Sequence, residues 1–368
     1  MSKRLLFAVT NDLTYDRRMY RICSSLAEAG YEVHLAGRRL NISKPFSPPT
    51  FQAHRLRCWF TKGPLFYAEY NIRLFFFLLI HRFDCFCACD LDTAVAVRLA
   101  GWLRNIKTVY DAHEYFTEVP ELTGRPFVKR IWERIGKWTI PGFDARYTVG
   151  EELAVLMGKE YNVSFDVIRN IAPAPTTTPV DNDEPGPDKV LLYQGAINVG
   201  RGLHACIEAM QWLPGWQLWL AGEGDITDVL KEKAIAMNLE ERIRFLGWIQ
   251  PEALPGLMRK AYLAVNLREK GSLNDFYSLP NKFFDAIHAG LPSINMNYPE
   301  YAAVCRKYPC AILLDEVDPK KLADVILDFE SHPERREQLI YGCMQAAKEF
   351  TWQNEAARLK TIYRKIVP

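Results

Sequence analysis

Residues 189–225, KVLLYQGAINVGRGLHACIEAMQWLPGWQLWLAGEGD, decide the fold. A β-branched and aromatic run, KVLLYQ (189–194), meets a glycine-rich turn; an amphipathic segment follows over 202–212, and a second apolar run, WQLWLAG (216–222), again ends in glycine. Strand, helix and strand at this spacing make two parallel strands joined by a crossover helix. Working outward, the same alternation continues downstream through a helix at 226–237, RIRFLG (242–247), a helix at 251–260, YLAVNL (262–267), a helix at 281–289 and AILLD (311–315), then helical sequence over 320–366. Upstream it reads RLLFAVT (4–10), a helix at 17–29, YEVHLAG (31–37), FDCFCAC (83–89), a helix at 92–103, NIKTVY (105–110) and DARYTV (144–149). The expected class is α/β, with two Rossmann-like, doubly wound domains.

Length agrees with two cores, because 368 residues exceed what one core of about 250–300 residues holds. Between the two series, IAPAPTTTPVDNDEPGPDK (171–189) carries five prolines and few apolar residues, which reads as a linker. The expected partition is a first domain over 1–170, a linker over 171–188, a second domain over 189–350 and a closing helix over 351–368. The net charge of +2 hides an asymmetry: residues 1–170 hold 24 Lys and Arg against 18 Asp and Glu, and the remainder hold 22 against 26. A basic first half invites an anionic partner.

Several classes are excluded or disfavoured. The composition, 49% apolar and 12% aromatic, is that of a chain with large cores and not of a disordered or fibrous one. The opening MSKRLLFAVTND turns polar too early for a secretory h-region, so the expected location is the cytoplasm. The longest apolar run, LFFFLLI (74–80), is far short of the ~17–25 residues that span a bilayer. Cys85, Cys87 and Cys89 alternate along one strand and read as buried thiols, without a second Cys/His pair at zinc-site spacing. No nucleic-acid motif appears, and the absence of GxGxxG disfavours a dinucleotide site.

Ligands of open parallel sheets bind beyond the carboxyl ends of the strands, so residues just after strands are the candidates. After the first strand stand Asp12 and Asp16, either helix caps or site residues, and Arg17 and Arg18, whose charge opposes the helix dipole and suits a ligand. After NIKTVY come Asp111, His113 and Glu114; a histidine between two carboxylates has its tautomer and charge set by them. Asp90 and Asp92 form a D-x-D pair that reads as a metal site or, more simply, as helix capping. Segment 124–140 places Phe127, Ile131, Ile135 and Trp138 at helical spacing beside Arg130, Arg134 and Lys137. This basic amphipathic helix either lies on an anionic membrane or packs on its own sheet with a solvated basic face. In the second half, Gly195 and Arg201 sit in the turn after KVLLYQ, and Lys282 sits near the start of the helix opened by Pro280-Asn281 with Asp285 one turn in, a setting for an anion and for ribose hydroxyls.

Taken in order, DRRMYRICSSLAEAGYEVHL, YDAHE, YQGAINVGRGLHACIEA, WLAGEGD, IRFLGWI and LPNKFFDAIHAGLPSI resemble a GT-B glycosyltransferase of the family-4-like, retaining group, over nearly the whole chain. The resemblance implies two domains facing a central cleft. It further implies transfer of a sugar from a nucleotide-sugar donor, UDP- or GDP-linked, to a glycan or lipid-linked acceptor, with retention and without a metal or other cofactor. By position it makes His113, Arg201 and Lys282 catalytic and assigns the donor to Gly195, Arg201, Gly222, Gly224, Asn281, Lys282 and Asp285. The acceptor side falls to Asp12, Arg17, Asp111 and Glu114. Two positions depart from the pattern: Tyr277 stands where the family has the first Glu of its E-x7-E pair, and Ala196 where it has an Arg after the glycine. These departures keep open a catalytically weak nucleotide-binding subunit, and a GT-B sugar-nucleotide epimerase is the other alternative. Contact of 124–140 with the inner face of an anionic membrane stays one of the two readings of that helix, beside packing on its own sheet.

Overall fold

The computed structural model describes residues 2–173 and 189–368. The polypeptide divides into two compact units, residues 1–170 with 353–368, and residues 171–352. Of the segment expected as a linker, 174–188 lies outside the described residues, whereas Ile171 is buried in the core of the second unit.

The first unit contains strands β1 (Arg4–Asp12), β2 (Glu32–Arg39), β3 (Gln52–Arg57), β4 (Cys85–Cys89), β5 (Lys107–Ala112), β6 (Ala145–Thr148) and β7 (Asp166–Val167). All pair in parallel, in the order β3-β2-β1-β4-β5-β6-β7. Its helices are α1 (Arg17–Glu28), α2 (Gly63–Ile80), α3 (Leu91–Arg104), α4 (Pro126–Thr139) and α5 (Glu151–Tyr161). Central strands read as unbroken apolar runs because helices cover both faces of a parallel sheet. All five residues of β4 are buried, and Cys85 and Cys87 sit in register with Leu5 and Phe7.

The second unit has β8 (Val190–Gln194), β9 (Gln217–Ala221), β10 (Ile243–Gly247), β11 (Leu263–Asn266), β12 (Ser293–Met296) and β13 (Ala311–Leu314), parallel in the order β10-β9-β8-β11-β12-β13. Helices α6 (Leu203–Ala209), α7 (Thr227–Ala236), α8 (Leu254–Arg259), α9 (Leu273–Phe276), α10 (Asn281–His288), α11 (Pro299–Lys307), α12 (Pro319–Ser331) and α13 (Pro333–Glu349) accompany them. The last helix, α14 (Trp352–Ile366), lies almost wholly within the first unit, where Tyr363 packs 5.7 Å from the ring of Phe7.

Sequence reading left 40–82 without elements, and the structure places β3 and α2 there. Both evade a periodicity test: β3 (QAHRLR) is a polar edge strand, and α2 is apolar on most of its circumference, so neither alternates cleanly. Strand order reverses beside β1 in the first sheet and beside β8 in the second, and each reversal opens a crevice at the carboxyl ends.

Candidate active site

In the first unit, the residues after β1, β4 and β5 converge. Arg18, in the first turn of α1, is buried and donates from Nη2 to Asp111 Oδ1 (2.9 Å) and from Nη1 to the Ile168 carbonyl (3.1 Å). It is therefore a structural partner of Asp111 and not the ligand-facing cation expected from its place in the helix. Asp111, expected on the acceptor side, has no exposed surface, and its Oδ2 lies 3.0 Å from His113 Nε2.

His113 Nδ1 faces Asp90 Oδ2 at 3.5 Å, and the His113 backbone N–H donates to Asp90 Oδ1 at 2.8 Å. Asp90 follows β4 with φ at +60°, a left-handed conformation uncommon outside glycine, and makes no capping bond to α3. The capping reading of this pair is thus replaced by a row of charges running Arg18, Asp111, His113, Asp90. Side chains of His113 and Asp90 each keep 18% exposure, so both reach solvent at this end of the row.

Electrostatics follow from this row. Burial opposes charge on His113, but Asp111 and Asp90 on either side bring it up to about 9, so the imidazole is a cation near neutrality. Burial would raise Asp111, yet Arg18 and His113 hold it below its ordinary value. Burial dominates at Asp90, pushed up to about 7 against the pull of His113, and at Asp92, pushed up to about 6 while it accepts a bond from Thr10.

Cys89, Asp111 and His113 bring ligand atoms within 4.8 Å of one another. Both oxygens of Asp111 already face Arg18 and His113, and burial keeps the Cys89 thiol well above its ordinary pKa and protonated, so this chemistry does not favour a metal.

Of the other expected acceptor-side residues, Asp12 is taken up locally. It accepts from Thr14 N–H (3.0 Å) and Oγ1 (2.7 Å), from Ser43, and from Arg55 (3.2 Å). Asp16 caps α1 through the Met19 N–H at 3.0 Å. Arg17 is exposed at the start of α1, and Glu114 is half-buried.

In the second unit, two glycine-bearing turns lie backbone to backbone. Gly195 N–H donates to the Ala221 carbonyl (2.9 Å) and Ile197 N–H to that of Glu223 (3.0 Å). A Cβ on Gly222, whose φ is +150°, would lie 1.9 Å from the Gly195 carbonyl oxygen, and one on Gly224 would lie 2.2 Å from Asn198 Oδ1. These glycines permit the close crossing that shapes the turn.

Beside that turn, Lys282 Nζ lies 3.3 Å from Tyr193 Oη and 4.4 Å from the centre of the Tyr193 ring. Burial, together with Arg201 and Arg268, lowers Lys282 to about 7. Arg268, directly after β11, donates to Ser278 Oγ (2.7 Å) and pairs with Asp275 (3.1 Å). Burial and Arg201 lower its pKa. Arg201 forms no ion pair among the described residues. Arg201 and Arg268 thus act on Lys282 beside this turn, Arg268 being itself paired with Asp275, while Asp285, one turn into α10, accepts from Gln194 Nε2 at 3.0 Å. Asn281 is exposed at the first position of α10. Arg268 escaped the sequence reading, although its place immediately after the strand YLAVNL was the signal that picked out the others.

Residues 14–173 match the glycosyl transferase 4-like domain, and residues 176–344 match the glycosyl transferases group 1 model. Over 66 residues, 18% of the chain, it is 38% identical to the lipopolysaccharide core biosynthesis glycosyltransferase LpsE of Rhizobium meliloti (strain 1021), and over 182 residues, 48% of the chain, 26% identical to LpsD of the same organism. These matches take in 19% and 50% of the two relatives, so the chain spans at most about half the length of either. Among solved structures, a sucrose-phosphate synthase from Thermosynechococcus elongatus superposes with a TM-score of 0.79 at 16% identity, covering 99% of both chains. Anabaena HepE in complex with UDP and glucose superposes with a TM-score of 0.74 at 13% identity, covering 98% of this chain and 99% of that one. At such identities the two likenesses speak for the fold alone.

Proposed function

The chain belongs to the 4-like, group 1 glycosyltransferases of the GT-B fold, and from that premise we propose that it transfers a glycosyl group from a nucleotide-activated sugar to a hydroxyl of a glycan or lipid-linked acceptor, with retention. The observation that carries this reading is Lys282, held against Gly195 and Tyr193 in the turn after β8 with Arg201 and Arg268 close enough to disfavour its charge. Like charges held together in a half-buried site are costly unless an anion joins them, and a nucleoside diphosphate supplies two adjacent phosphates. Arg268 compensates for Ala196, where the family pattern has an arginine. Asp285 is in position for ribose hydroxyls. A UDP donor has the support of the UDP-bound HepE fold relative, and GDP stays an arm of the test.

In the reaction, the bond between the anomeric carbon and the diphosphate oxygen breaks as the acceptor oxygen bonds to the same face. The acceptor proton passes to the departing phosphate oxygen. The negative charge that grows on the diphosphate is met by Arg201, Lys282, Arg268 and the free N–H groups opening α10, without a metal. His113, protonated between two carboxylates, serves as a hydrogen-bond donor that fixes Asp90 and not as a base. Asp90 then accepts from a second hydroxyl of the acceptor and orients it. The nine free cysteines suit a reducing, cytoplasmic setting.

Thermal unfolding with UDP, GDP and their sugars tests the reading, since a ligand of the folded state raises the melting temperature. The expected result is a shift with one nucleotide class that Arg201→Ala abolishes; an equal shift in the variant removes Arg201 from the site. Tyr277 and Ala196 favour the weakly catalytic alternative, and it prevails if the nucleotide binds while no sugar is transferred or released. Conversion of the donor to its epimer without an acceptor would point to the epimerase.

A further inference from the structure

On the premise argued above that the donor is a nucleotide sugar, we propose that Tyr193, buried at the end of β8, is a positioning residue that holds Lys282 toward the donor diphosphate. Strand alternation points Leu191 and Tyr193 to one face, and both lie in the apolar core of the second unit. Phenylalanine would fill that space equally well, so the hydroxyl is the part of Tyr193 that packing does not explain.

That hydroxyl makes two contacts. Tyr193 Oη donates to the Ala196 carbonyl at 2.7 Å and lies 3.3 Å from Lys282 Nζ. A carbonyl only accepts, so the one phenol proton goes to Ala196, and a lone pair on Oη is left to accept from Lys282. Burial pushes the Tyr193 phenol up to about 12, so it keeps its proton at neutral pH and is no base. The Ile197 N–H, on the same peptide plane as the Ala196 carbonyl, donates to the Glu223 carbonyl at 3.0 Å. That plane is pinned at both ends, and the pinned turn in turn confines Lys282.

Lys282 Nζ stands 4.4 Å from the centre of the Tyr193 ring, and a Cβ on Gly195 would lie 3.3 Å from it, so the amine sits between the ring and the turn. Among the described residues Tyr193 Oη is the one hydrogen-bond acceptor that Nζ meets. An ammonium has three N–H donors, which leaves two for phosphate oxygens. A lysine on its four-carbon stem loses rotamer freedom when a ligand fixes it, and a side chain already held in place lowers that cost of binding.

The surroundings otherwise oppose charge on Lys282. Arg201 and Arg268 repel it, and burial adds to them. The Cys206 thiol of α6 also faces it, but burial pushes that thiol up to about 12 and it brings no charge. Asp285, one turn along α10, is engaged by Gln194. Tyr193 works the other way, because both a phenol lone pair and an aromatic face favour the cation.

Calorimetric titration of the full chain with uridine and UDP, with guanosine and GDP alongside, tests the assignment. Tyr193→Phe removes one oxygen and is expected to lower diphosphate affinity about tenfold, the weight of one charge-assisted hydrogen bond, while nucleoside affinity stays within about twofold. In a Lys282→Met background the same substitution is expected to cost less than about twofold, because its effect runs through the amine. The fall of diphosphate affinity with rising pH is expected to begin at lower pH in Tyr193→Phe, since the ammonium has lost an acceptor. A stability loss from the missing hydroxyl is carried by both backgrounds and cancels between them. Equal losses for nucleoside and diphosphate, or the same loss with Lys282 already removed, would make Tyr193 a support of the turn alone and overturn the proposal. Diphosphate binding that Tyr193→Phe leaves unchanged overturns it while the transferase reading stands; a wild-type protein that binds neither diphosphate overturns both.

Discussion

Asp90 illustrates how much a single backbone angle decides. With φ at +60° its carboxylate turns away from α3 and toward His113, and that orientation sets it at the end of the charge row beside the equally exposed His113. Asp90→Asn keeps the shape but weakens the hydrogen bond that orients the acceptor; turnover is expected to fall about a hundredfold while the nucleotide-induced melting shift stays unchanged, and equal loss of both would make Asp90 structural. Arg18→Ala leaves Asp111 buried beside one partner fewer, and the first unit is expected to lose about 3–5 kcal/mol in urea unfolding. Lys282 titrates near 7 in the free protein because burial and two arginines disfavour its charge. A bound diphosphate favours that charge, so binding takes up a proton, and nucleotide affinity is expected to fall as pH rises through 7 toward 9. Lys282→Arg, charged throughout, should flatten that slope; a slope unchanged by the substitution assigns the proton elsewhere. Sequence alone marked His113, Arg201 and Lys282 because they follow strands. It did not reveal that Arg18 serves Asp111 or that Arg268 joins the cations, since both facts depend on which side chains distant segments bring together.

At the scale of elements, the crossing of the turns after β8 and β9 carries the donor site. Gly222 permits it, since any Cβ there would meet the Gly195 carbonyl oxygen at 1.9 Å. Gly222→Ala is expected to destabilise the second unit by about 1–3 kcal/mol and to abolish the nucleotide shift, as read by paired thermal unfolding with and without nucleotide. Helices whose inner and outer faces differ in polarity were legible beforehand, as α1 and α10 were. In α2 apolar residues fill both sides, so no period stands out, and in α4 two apolar stripes compete. Which stripe meets the sheet was settled by packing against Tyr67, Phe116 and Tyr161.

For the whole molecule, acidity tests the first unit from both sides. Burial, with His34 and His81 close by, lowers His54 to about 4, and burial lowers the adjoining His34, whose Nδ1 is 2.9 Å from His54 Nε2. An unfolded histidine titrates near 6.5. The stability these two contribute is therefore present above about 6.5 and lost as pH falls toward 4. His113, raised to about 9, has the opposite sign: its contribution is full below about 6.5 and lost as pH rises through 9. The melting temperature is expected to peak near neutrality. His54→Gln should soften the acid limb and His113→Gln the alkaline limb, and a profile in which neither limb moves refutes the assignment. Alternating apolar runs and strand-end glycines were enough to specify two doubly wound domains and the edges where ligands bind, because strand burial and turn geometry are local demands written residue by residue. Charge balance within the site, the occupant of each polar atom and the exposed face of α2 were decided only by tertiary structure, because desolvation and Coulomb energy depend on distances between residues far apart in the chain.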